Sequence, residues 1–146
     1  MIASTSRVGV AATLCFILLS AAVAQISGAL TQKAPDAAMM VAMADKKGFV
    51  RVIVEFAAPV AAGQLPTDPA RLAAVKAQIA SMQDAIIASH FGSATNPAPG
   101  QGFVRGLVRF DITPNFAVNV SKAELEALAA DPRVVRINLD QLHAPG

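Results

Sequence analysis

The sequence has one cysteine, Cys15, two histidines, and only 15% charged residues. A lone cysteine excludes an internal disulfide. The lack of any C-x-x-C pair argues against a domain carrying a soft metal, which would need thiolate ligands. His90 and His143 stand far apart, and neither has a second ligand at metal-binding spacing, so no metal and no cofactor is expected. His90 reads instead as the polar end of a helix C-terminus. No G-x-S-x-G elbow or phosphate-binding glycine loop occurs. Gly100-Gln101-Gly102 is half of a nucleotide fingerprint, and it follows a loop rather than a strand. Glu124 and Glu126 lie two apart on a helix and cannot face each other. With no catalytic constellation, the chain reads as a binding protein and not an enzyme.

Few charges go with many apolar residues, 54% of the chain, and the N-terminus holds most of the excess. Arg7 closes a short polar stretch, residues 8–23 run without a charge, and Ala22-Val23-Ala24 offers the small residues of a signal-peptidase site. The run is shorter than the roughly 20 residues that cross a bilayer. Residues 1–24 therefore read as a secretory signal cleaved before Gln25, and the expected location is secreted or periplasmic, with no membrane attachment after cleavage. Cleavage also removes Arg7 and Cys15, leaving a near-neutral chain without a thiol. Its basic residues are scattered, which argues against a nucleic-acid partner, because phosphate binding needs a clustered basic surface. An exported domain without a disulfide rests on its core alone, which about 100 ordered residues can supply.

Residues 25–48 are rich in Ala and Met, include Pro35 and Lys46-Lys47, and sustain no period. They read as a flexible leader with a helical turn around Ala37 to Ala44, and the spacing of Met39, Met40 and Met43 suits one side of such a turn. At Phe49 the pattern changes. Val50, Val52, Val54 and Phe56 alternate with Arg51, Ile53 and Glu55, a strand. Asp68-Pro69 gives an N-cap followed by proline at the first helical position. Leu72, Val75, Ile79, Met82, Ile86 and Phe91 then form a helical stripe that Gly92 ends.

Residues 93–102 hold prolines and glycines and read as a loop. A second strand follows, with Val104, Val108 and Phe110 expected inward and Arg105, Leu107 and Arg109 outward. Thr113-Pro114-Asn115 turns the chain into a third strand carrying Phe116, Val118 and Val120. Ser121-Lys122-Ala123-Glu124 is a capping box opening a second helix with Leu125 and Leu128 buried. Asp131-Pro132 stops it. Val135, Ile137 and Leu139 are expected inward on a fourth strand.

Strand, helix, strand, strand, helix, strand is the split βαβ order of the ferredoxin-like sandwich: an α+β fold in which two helices cover one face of a four-stranded antiparallel sheet. The domain is expected over residues 49–140. Its open face would carry Ile53, Phe103, Leu107 and Val134 among Arg51, Arg105, Arg109, Arg136 and Glu55. So many apolar groups on an open face suggest a partner surface.

Four stretches together resemble the propeptide domain of the subtilisin-like serine proteases, a family of peptidase inhibitors. They are Val50-Arg51-Val52-Ile53-Val54-Glu55-Phe56, the hairpin over residues 103–120, Ser121-Lys122-Ala123-Glu124-Leu125-Glu126-Ala127-Leu128, and Asp131-Pro132-Arg133-Val134-Val135-Arg136-Ile137-Asn138-Leu139-Asp140. The last is the most specific. The resemblance implies an inhibitor and folding chaperone, monomeric when free, whose open face docks on two protease helices while residues 141–146 run through the active-site cleft. Asp140 matches the acidic position that caps a protease helix, and Asn138 stands where the family usually has a second acid. Gln141, Leu142, His143, Ala144, Pro145 and Gly146 form the cleft-filling tail, with Gly146 next to the catalytic serine, where a larger side chain is usual. In the family the catalytic domain follows this tail directly. Here the sequence stops at Gly146, so the expected arrangements are a free-standing inhibitor or the pro-region of a separated or truncated precursor. An envelope interaction module with a non-protease partner is the alternative from a different class.

Overall fold

The computed structural model describes residues 26–60, 64–92 and 106–141; the expected signal at residues 1–24 lies outside them. Two helices come first, α1 (Gly28–Lys33) and α2 (Ala37–Lys47). Ser27 caps α1 by accepting the Leu30 amide at 3.2 Å, and Gly48, at φ 82°, ends α2 in the left-handed region that glycine enters without a Cβ clash. Leu30 and Met40 are fully buried, and Ala34, Ala37, Val41 and Ala44 join them in the core. The expectation of a flexible leader over residues 25–48 is thereby corrected: Pro35 splits one apolar stripe between two short helices, so neither half sustains a period long enough to read. Met39 is exposed while Met40 is buried, the two sides of one helix.

Strands β1 (Val50–Phe56), β2 (Val108–Arg109), β3 (Asn115–Val120) and β4 (Val134–Leu139) form one sheet in the order β2-β3-β1-β4. Every neighbouring pair is antiparallel. Helix α3 (Pro69–Phe91) follows β1, and α4 (Lys122–Ala130) follows β3. The fold is thus α+β, a four-stranded antiparallel sheet with four helices among the described residues, two more than the sequence suggests. Val50, Val52, Val54 and Phe56 face the core, where Phe56 and Phe116 pack with ring centroids 6.5 Å apart. Burying each such ring contributes roughly 1.5–3 kcal/mol.

Two strands depart from the expected alternation. In β4 the core residues are Val134 and Ile137, while Val135 is 52% exposed. The register shifts between Glu55 and Phe56, so Val134 pairs with Phe56 and Arg136 with Glu55, leaving Val135 as the extra residue of a bulge. Val134 is therefore not on the open face. In β2 the faces are reversed. Val108 pairs with Ala117, Arg109 pairs with the core-facing Phe116, Leu107 packs against the core, and Val108 and Phe110 are exposed. Arg109 reaches Asp84 of α3 at 2.5 Å, so it belongs to the helix side of the sheet.

Helices α3 and α4 start as their sequences dictate. The Asp68 carboxylate accepts the Arg71 amide at 2.9 Å with Pro69 next to it, and Ser121 and Glu124 close the capping box. On α3 the buried positions are Val75, Ile79, Gln83, Ile86 and Ile87, with Leu72, Met82 and Phe91 only partly covered. The buried Gln83 amide donates to the carbonyls of Phe110 at 2.9 Å and Asn115 at 3.0 Å. A polar side chain thus ties α3 to both ends of the β2–β3 turn and satisfies backbone groups that burial would otherwise leave unpaired.

Candidate functional site

The sheet face away from the core is built in three rows by the strand register. Arg51 pairs with Asn119, Ile53 with Ala117 and Asn138, and Glu55 with Asn115 and Arg136. Val108 extends the middle row, 45% exposed beside the buried Ala117. The surface therefore has an apolar centre, Ile53 and Val108, flanked by amides and by charges of both signs.

At the end of the face where β4 finishes, Arg51 joins three chain segments. Its Nε donates to Asp140 Oδ2 at 2.7 Å and its Nη1 to the Gly106 carbonyl at 2.8 Å, while its own carbonyl accepts the Asp140 amide at 3.1 Å. Gly106 has φ 57°, and a Cβ built there would lie 2.8 Å from Arg51 Nη1 and 3.2 Å from Asn119 Nδ2. Glycine is favoured at this position by its conformation, and a side chain here would also push the Arg51 guanidinium aside. Gly106→Ala should destabilise the fold by about 1–2 kcal/mol, read from urea unfolding curves; an unchanged midpoint would contradict the geometry.

A second polar cluster lies on the helix side. The buried Asp131 accepts His90 Nε2 at 2.8 Å, and Arg133 Nη2, Nε and amide at 2.6, 3.0 and 2.9 Å. The hydrogen bonds from Arg133, joined by that from His90, hold the Asp131 carboxyl far below the usual carboxylate range despite the opposing push of burial. Ser89 is next to His90 in sequence, but its hydroxyl donates to the Ala85 carbonyl at 2.7 Å and accepts Arg133 Nη2 at 3.0 Å. It makes no bond to the imidazole. The cluster joins the end of α3 to the turn between α4 and β4. No group of three or more metal-ligating side chains occurs among the described residues.

Of the residues singled out in the sequence, Ile53 and Asn138 stand side by side on the open face and Asp140 lies at its corner. Gln141 follows, exposed, with its amide on the Leu139 carbonyl at 3.1 Å. Leu107 is corrected: it packs against the core, and Val108 takes the place expected for it. Arg109 is likewise on the helix side. Phe103, Leu142, His143, Ala144, Pro145 and Gly146 lie outside the described residues. Val108 and the clamp made by Arg51 were missed, because alternation in a two-residue strand has two readings and Arg51 meets Asp140 across 89 residues. No protein-family model, curated protein or solved structure matches the chain.

Proposed function

We propose that the protein is an exported inhibitor of subtilisin-like serine proteases that docks through its open sheet face, carries its C-terminal tail into the active-site cleft, and serves as a folding template for its target. The observation that carries this reading is the shared position of two features: a sheet face turned away from the core with Ile53, Asn138 and Val108 in its middle row, and an acidic residue, Asp140, where the chain leaves that face. The strand order β2-β3-β1-β4, with α3 after β1 and α4 after β3, supports reading the sheet and these two helices as a ferredoxin-like split βαβ core, to which α1 and α2 would be additions.

In this reading the binding residues are Ile53, Val108, Asn138, Asp140 and the tail from Gln141 to Gly146. The face supplies apolar contact, Asp140 accepts N–H groups at a protease helix N-terminus, and residues 141–146 pair through their main chain with the cleft. The protein performs no chemistry itself.

Inhibition of several subtilisin-like proteases by the purified chain tests the proposal. Inhibition at or below micromolar concentration is expected, and a folded domain that inhibits none of them would contradict it. Binding to an envelope partner that survives loss of residues 141–146 would favour the interaction-module reading, since only cleft inhibition requires the tail.

A further inference from the structure

We propose that Arg51 is a positioning residue for the partner surface: it aims the Asp140 carboxylate and fixes the point from which the tail departs. The inference rests on the protease-binding reading above. Arg51 lies on the central strand β1, whose backbone is held on both sides by β3 and β4, and its side chain is 25% exposed. From that rigid base the guanidinium uses one arm on Asp140, just past the end of the edge strand β4, and another on the segment that enters β2, at Gly106. A planar fork with separate donors suits two acceptors lying in different directions, whereas an ammonium offers a single compact charge on a flexible stem.

Asp140 shows what the clamp leaves available. Oδ2 is taken by Arg51, Oδ1 has no partner among the described residues, and the side chain retains 19% of its exposure. A carboxylate held by one oxygen presents the other in a fixed direction, ready to accept a backbone N–H from a partner. Less side-chain freedom is then lost when the partner arrives. The same residue holds the main chain, because the Asp140 amide is bonded to the Arg51 carbonyl immediately before Gln141 begins the tail. An ordinary exposed ion pair contributes little and fixes nothing. This one joins two side-chain bonds to a strand-end backbone bond, and its far acceptor is a glycine at positive φ, where any side chain would be strained and would push on the guanidinium.

The test uses protein expressed from the full sequence, as wild type, R51M, R51K, D140A and the R51M/D140A double variant, with two readouts. In inhibition titrations against a subtilisin-like protease, R51M and D140A should each weaken binding by about tenfold, and the double variant should be no weaker than D140A, because Arg51 acts through Asp140. R51K should recover part of the loss. Multiplying losses in the double variant would overturn the proposal. In hydrogen exchange on the free chain, R51M should speed exchange at the Asp140 and Gln141 amides by about tenfold while Val52 and Val54 stay protected. Unchanged exchange at Asp140, or loss of protection throughout the sheet, would overturn it as well. If the wild type inhibits no subtilisin-like protease, the protease reading fails, and the exchange measurement alone still decides the role of Arg51.

Discussion

Asp131→Ala should lower the stability of the domain by about 2–3 kcal/mol at neutral pH. Removing one partner of a buried ion pair costs about 3–5 kcal/mol when the remaining charge stays buried. Arg133 is 42% exposed and can take up water, which reduces the loss. The carboxylate also closes the turn after α4 by accepting the Arg133 amide, and it holds His90 at the end of α3. Both contacts are lost together. The pH dependence follows from the direction of the shift. The folded carboxyl ionises well below its unfolded value, near 3.9 for an ordinary aspartate. Its stabilisation is therefore complete above about pH 5 and falls away as pH drops below about 4 toward the folded value. Unfolding curves of wild type and variant at pH 7 and pH 3 should differ less at the lower pH, by about 1 kcal/mol. A penalty that stays constant down to pH 3 would mean that charge at Asp131 is not what holds the junction.

The N-terminal helices support an effect at least as large. Leu30 and Met40 are fully buried, and truncating a buried Leu or Met to Ala typically costs about 2–5 kcal/mol. A domain of this size has about 5–15 kcal/mol in total, so Leu30→Ala with Met40→Ala should remove most of its stability. The helices are also fastened by polar contacts: the Ser27 hydroxyl donates to the Glu126 carboxylate, and Lys33 Nζ donates to the Asp131 carbonyl at 2.7 Å. Cutting the chain before Phe49 should leave a domain without cooperative thermal unfolding by near-ultraviolet or fluorescence-dye methods. A sharp transition retained in the shortened chain would show that α1 and α2 are ornaments on an independent fold.

What could be read from the sequence were the features written locally. β1 declares itself by strict alternation, and α3 and α4 by Asp68-Pro69 and the Ser121-Glu124 box, because each signal is complete within four to seven neighbouring residues. What could not be read depends on distant partners or on patterns with two solutions. Leu30, Ala34, Ala37, Val41 and Ala44 recur at helical spacing, but alanine is a weak marker of burial and Pro35 interrupts the run. Leu107, Val108 and Phe110 are all apolar, so either alternation of β2 satisfies the pattern. The β4 bulge shifts Val134 into the core and Val135 out, and a double valine carries no mark of where the extra residue sits. Gln83 was not singled out, because its burial depends on the carbonyls of Phe110 and Asn115 at the β2–β3 turn. In the candidate site Ile53 was legible through strand parity, and Asn138 was singled out only through the family resemblance. The Arg51–Asp140 clamp was not legible, because it needs β1 and β4 to be neighbours.

The most direct measurement is inhibition of subtilisin-like proteases by the chain with and without residues 141–146. The proposed mode predicts inhibition at or below micromolar concentration by the intact chain. It further predicts that the tail-deleted chain, folded and with an unchanged melting temperature, still binds the protease through the sheet face but loses most of its inhibition. A folded intact chain that inhibits no such protease, or a tail-deleted chain that inhibits as well as the intact one, would contradict it.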